Sequence, residues 1–193
     1  DWDVRRAASE ALVKIGTPAV PALIKALGDS SEYVRRAACR ALGKIGDPQA
    51  IPVLSVWAHA GEDAARNALQ TLGHPALDLL QAVAQLAAQG AWDLLIRALP
   101  SEKVREAVVG LGTPAVPALI KALGDSNWNV RCAVCEALGR IGDLQAIPAL
   151  IQALGDRSSD VRRAAAEALS RIGDPQAIPA LIQALGDWNE DVC

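Results

Sequence analysis

The chain repeats itself. The stretch from Asp29 to Pro52 returns, with small changes, in the stretches that begin at Asp125 and at Asp156. Matching valines are 30 residues apart from Val4 to Val34, and 31 apart from Val130 to Val161 and from Val161 to Val192. A period of this length is that of a solenoid, in which no unit buries its apolar face alone and each packs mainly on its sequence neighbours.

One unit is enough to locate the helices. Val161, Ala165, Ala168, Leu169 and Ile172 fall at helical spacing, and Gly173 supplies the left-handed residue that ends a first helix, A. Asp174 and Pro175 then match an N-cap followed by proline at the first helical position. Ile178, Leu181, Ile182 and Leu185 mark the apolar stripe of a second helix, B, closing at Gly186. The same punctuation stands at Gly16-Thr17-Pro18, Gly46-Asp47-Pro48 and Gly112-Thr113-Pro114, and with leucine for proline at Gly142-Asp143-Leu144. No part of the chain reads as a run of strands. The expected fold is all-α: an α-solenoid, or superhelix, of stacked antiparallel helix pairs.

The pattern L-G-D-x5-V-R-R-A-A-x-x-A-L-x-x-I-G-D-P-x-A-I-P-A-L resembles the HEAT-like repeats named after phycobilisome lyases. The resemblance is strong over 1–56 and 113–193. It implies that an aspartate and the arginine six positions later form a polar ladder between repeats, here Asp29 with Arg35, Asp125 with Arg131 and Asp156 with Arg162. Identical recurrence in every unit makes these charges structural rather than catalytic.

Between 57 and 112 the period collapses although the helical character persists. A helices near 62–72 and 102–111 are each about one turn short, and 75–89 reads as one longer helix or two short ones. Ala91 to Leu99 recovers the B pattern, with Trp92 at an isoleucine position and Asp93 where proline normally stands. Two explanations compete: drift of a middle repeat, which the regularity elsewhere favours, or a kink or pocket shaped for a ligand. The whole of 1–193 is read as one solenoid with an irregular centre. Asp187 is followed six places on by Cys193, and the first residue is not methionine, so the chain is expected to be a piece of a longer array whose ends associate end to end.

Composition fits this class. Half the chain is hydrophobic (51%), yet only 3% is aromatic and phenylalanine and methionine are absent, so alanine and leucine do the packing. A net charge of -3 argues against a general affinity for nucleic acid, which needs a basic stripe. No unbroken apolar segment is long enough to span a membrane, and the expected location is the cytoplasm.

Candidate chemistry is sparse. Cys39 and Cys135 stand where Ser9 and Ala166 stand in sister repeats and read as small packing residues. Cys132 and Cys135 form a C-x-x-C within one helix, with no second pair or histidine to complete a zinc site. His74 precedes a helix-opening proline, as Thr17 and Thr113 do, and reads as a capping substitute, while His59 is expected in an inter-helix loop. No phosphate loop, nucleophile elbow or H-E-x-x-H is present. No catalytic residue, metal ligand or cofactor is therefore assigned.

Binding residues follow from aligning the B helices. Lys25, Arg97, Lys121, Gln152 and Gln183 occupy one equivalent polar site, and the resemblance implies that B helices line a concave groove. Trp57, in place of Ala153 and Ala184, would join this ridge, and Trp57 with Arg97 are the expected hot spots. Trp2, Trp128, Trp188 and Tyr33 fall in or near the turns before A helices. The expected function is a non-catalytic scaffold holding a protein partner in that groove. The alternatives are a component of a bilin lyase or chromophore-handling complex, and a HEAT-like DNA-binding or glycosylase-type module, for which only Lys25, Arg97 and Lys121 would qualify as contacts.

Overall fold

The computed structural model describes residues 2–185, and all regular structure among them is helical. Gly186, Asp187, Trp188, Val192 and Cys193, as well as the side chain of Trp2, on which the sequence places expectations, lie outside the described residues. The chain forms two compact units, 1–107 and 108–193.

The first unit contains α1 (Trp2–Ile15), α2 (Val20–Ala26), α3 (Glu32–Ile45), α4 (Ile51–His59), α5 (Asp63–Thr71), α6 (Leu79–Ala88) and α7 (Trp92–Ala98). A further helix, α8 (Glu102–Val109), leads into the second unit, which holds α9 (Val116–Ala122), α10 (Trp128–Ile141), α11 (Ile147–Ala153), α12 (Ser159–Ile172) and α13 (Ile178–Ala184). In both units long A helices pack side by side, α1 on α3 on α5 and α10 on α12, while α2, α4, α9 and α11 pack on the A helices that follow them, α3, α5, α10 and α12. This is the α-solenoid arrangement expected from the period.

The punctuation acts as read. Gly46 ends α3 in the left-handed region (φ 80°), where a Cβ would be strained. Asp47, Asp143 and Asp174 each accept a hydrogen bond from the backbone N–H two residues on, at 2.9, 2.9 and 2.8 Å. Each of these caps opens a short 3-10 turn, and the α-helix of the B segment begins only after it, at Ile51, Ile147 and Ile178.

Small residues set the spacing of the A helices. A Cβ added to Gly139 would lie 2.7 Å from Ala168 Cα, and one added to Gly43 would lie 2.8 Å from Ala68 Cα. The A layer is thus closed at a glycine facing an alanine on the next helix, a tighter contact than the Ala-Ala pairs alone would give.

The centre is irregular in the expected places. α5 has 9 residues and α8 has 8, against 14 in α3, α10 and α12. Between Pro75 and Gln89 there is one helix, α6, capped by Asp78, which accepts from Leu80 N at 3.1 Å. His74 therefore does not cap a helix: its Nδ1 lies 2.6 Å from the Pro75 carbonyl. Nor is His59 in a loop; it is the last residue of α4, with Nδ1 2.8 Å from the Ser55 carbonyl.

The irregular segment is fastened by Ser55, a fully buried hydroxyl that donates to the Ile51 carbonyl (2.8 Å) and accepts from Leu77 N (2.9 Å). α6 then packs on α4, and α7 on both α6 and α4. α7 also reaches the turn after α2, where a Cβ on Gly28 would meet Leu94 Cδ2 at 3.6 Å and Arg97 Cγ at 3.8 Å. In a regular stack α4 would keep a later B helix away from the end of α2.

Candidate interaction surfaces

One arginine of the expected ladder meets a carboxylate, and it is not that of its expected partner. Arg131 is only 4% exposed and forks onto the carboxylate of Asp156, in the next repeat: Nε donates to Oδ2 and Nη2 to Oδ1, both at 2.8 Å. Toward its own repeat, Nη1 donates to the main-chain carbonyls of Asp125 (2.8 Å) and Ser126 (3.2 Å). Arg35 donates in the same way to the Asp29 and Ser30 carbonyls, and Arg162 to that of Asp156. The pairs expected within a repeat are therefore arginine to carbonyl, because a fork facing a carboxylate across the repeat boundary uses both of its oxygens. Asp29 and Asp125 Oδ1 are turned instead onto Ser31 N and Asn127 N. The bond from Arg131, reinforced by Ser158 N, holds the Asp156 carboxyl below the usual range, and Asp156 in turn raises the pKa of Arg131.

Arg105 was not assigned to the ladder, yet its Nη1 donates to the Leu99 carbonyl six residues back at 3.1 Å. The Val-Arg pair at 104–105 was the available signal; the missing aspartate at 99 hid it.

Trp57 is a correction. It is 7% exposed and offers no ring to a partner in the B-helix ridge. Ala60 stands where Asp156 stands in the later repeat, so the carboxylate that would receive Arg35 is missing. The Arg35 guanidinium lies over the Trp57 ring instead, 5.3 Å from its centre. The buried indole Nε1 has no hydrogen-bond partner, so it is the face of the ring that answers the charge.

The other ridge residues divide between the units. In the second, Lys121 on α9, Gln152 on α11 and Gln183 on α13 are exposed at one register position of consecutive B helices. In the first, Lys25 is exposed, whereas Arg97 is half-buried with its stem against Gly28. Arg97 is thus partly occupied by packing.

The cysteines behave as core residues. Cys39 and Cys135 are fully buried, and that burial is the main force pushing both thiols up to about 12. Cys132, partly exposed, is also raised, chiefly by burial. Among the described residues no three His, Cys, Asp or Glu side chains are placed to hold a metal ion. Likewise, no helix among them is long and apolar enough to cross a membrane.

One charged surface was not foreseen. Arg36, Arg40 and Lys44 recur at i, i+4 and i+8 along α3 and face Arg5 and Arg6 of α1 across a groove of about 360 Å³. Among the described residues Glu10 is the only carboxylate in its lining. A basic stripe absent from the total charge is thus assembled locally, from two repeats. Tyr33, 66% exposed, stands in the same lining with the Arg5 guanidinium 5.2 Å from its ring centre.

Comparison with known proteins finds a family match in two stretches: the model for HEAT repeats covers residues 1–73 and 116–193. Among solved structures, the chain is similar to human deoxyhypusine hydroxylase in complex with glycerol, at 22% identity over 98% of this chain and 75% of that one, with a TM-score of 0.43. It is also similar to an engineered protein at 24% identity over 96% of this chain and 81% of that one, with a TM-score of 0.35. No match was found among curated proteins. With the family model covering well over half of its length, the chain belongs to the HEAT-repeat family.

Proposed function

We propose that this chain is a non-catalytic interaction scaffold that holds a protein partner against its B-helix layer. The observation that carries the proposal is the equal register of exposed Lys121, Gln152 and Gln183 on three consecutive B helices, backed by buried Ala122 and Ala153. Rigid packing beneath a row of adaptable polar groups suits recognition of an extended partner, since the scaffold's backbone is already ordered before binding. Two of the thiols are buried, and both histidine Nδ1 atoms face main-chain carbonyls.

The test is a pull-down from source-cell lysate with the tagged chain beside the triple variant Lys121→Glu, Gln152→Glu and Gln183→Glu, read by mass spectrometry. A stoichiometric protein captured by the parent and lost from the variant, at unchanged helical content, supports the scaffold. A partner retained by the variant removes the B-helix row. A captured partner that carries bilin absorbance favours the chromophore-handling alternative.

A further inference from the structure

We infer that the groove between α1 and α3 is a docking site for an acidic peptide segment of a partner protein. This surface belongs to the A-helix layer and stands independently of the B-helix row.

The charge balance is the first observation. Among the described residues five cations line the groove against one carboxylate, in a chain whose net charge is -3. Arg36 already has anionic partners, Glu32 one turn back and Glu62 Oε1 at 3.3 Å, with Glu62 coming from the next repeat. Arg40 and Lys44, which extend the same line of α3, are exposed and point their charge into the groove lining. Like charges gathered in a concave surface raise the local concentration of anions. Guanidinium forks match carboxylates in bidentate geometry, which favours Asp and Glu as the occupants.

Tyr33 is the second observation. A tyrosine this exposed at the rim of a charged groove, with Arg5 stacked on its ring, is the type of amphipathic anchor that dominates protein interfaces. Its ring gives a peptide side chain an apolar surface next to the cations.

Length decides between a peptide and a nucleic acid. The line from Arg36 to Lys44 runs about 12 Å along α3 at the helical rise of 1.5 Å per residue. This matches about four residues of extended peptide at roughly 3.3 Å each. A nucleic acid would carry its phosphates past both ends of so short a line. At its Arg36 end the chain presents Glu32 and Glu62.

The experiment is fluorescence anisotropy with a labelled Asp/Glu-rich peptide and, separately, a labelled single-stranded oligonucleotide of equal charge. The parent should bind the peptide more tightly than the oligonucleotide. The Arg40→Glu, Lys44→Glu double variant should weaken the peptide at least tenfold, about 1.4 kcal/mol. Tyr33→Ala, at a residue outside the core, should weaken it about threefold with unchanged circular dichroism. The same peptide affinity in parent and double variant would overturn the inference. So would an oligonucleotide that binds more tightly than the peptide and is lost from the double variant, because the site would then be one for nucleic acid. Should the double variant fail to fold, Tyr33→Ala and Lys44→Ala decide: weakening in both supports the docking site, and no change in either overturns it.

Discussion

Arg35 rests its guanidinium over the ring of Trp57, 5.3 Å from the centre, in the first unit; in the second, the equivalent Arg131 is clamped by Asp156. The two arrangements are linked substitutions within one repeat pattern: where Ala60 replaces the aspartate, Trp57 replaces the alanine three residues earlier. An arginine drawn even partly out of water needs something to answer its charge, and an aromatic face three residues away takes over from a carboxylate.

Trp57→Ala should therefore destabilise the first unit by about 3–5 kcal/mol through lost ring burial and the cavity left behind. Adding Ala60→Asp to that variant should recover about 1 kcal/mol by giving Arg35 a carboxylate. Urea unfolding of the single and double variants measures both. A double variant no more stable than the single one would mean that residue 60 cannot play the part of Asp156.

Asp156→Asn should cost about 3–5 kcal/mol, because Arg131 is 4% exposed and would keep its charge without its partner. The pH dependence follows from the lowered pKa of Asp156. In the unfolded chain the carboxyl titrates near 3.8 and in the folded protein below it, so the pair's contribution is complete above that value. It is lost as pH falls through the lower folded value. Unfolding free energy measured across the acid range should fall less steeply for the variant than for the parent.

Gly139→Ala should destabilise by about 1–3 kcal/mol through overpacking, since the new methyl group would meet the Ala168 backbone at 2.7 Å. The obstacle is Ala168 Cα as well as its Cβ, so Ala168→Gly should relieve the strain only in part. A double-mutant cycle in thermal unfolding reads the coupling; purely additive effects would mean that the helices separate freely there.

Cys39 and Cys135 should resist alkylation in the folded protein and react only as fast as it opens, while Cys132 should be modified at least tenfold faster than Cys135. Peptide mapping after timed alkylation resolves the sites. The same burial predicts an alkaline effect. The thiols stay neutral to about 12 when folded but ionise near 9.0 when unfolded, so their contribution is intact below about 9.0 and declines as pH rises from there toward 12. Cys135→Ala should flatten part of that decline.

Local interactions made the helices legible. The glycine stops, the aspartate caps and the apolar stripes act within a few residues of themselves, so the A and B segments, the shortened α5 and α8 and the all-α solenoid class could be taken from the order of residues alone. Even there, spacing alone misleads: Glu167 and Arg171, four apart in the favourable order, are the pair expected from the sequence, yet Glu167 bonds Arg163 at 3.0 Å, toward the start of the helix.

What residues do at a distance was settled only by packing. The recurrence of aspartate and arginine marked a ladder, but Arg131 reaches across to Asp156 of the next repeat, where both carboxylate oxygens meet the guanidinium fork. Trp57 looked like an exposed anchor from its position and proved to be core, since the vacancy at residue 60 lies on the same helical face one turn away. The meeting of α7 with Gly28 and the convergence of Arg5, Arg6, Arg40 and Lys44 on one groove depend on how helices from different repeats are set side by side. Repetition in sequence fixes each unit's own structure; neighbours in space decide which charge is satisfied, which ring is covered and which surface is left for a partner.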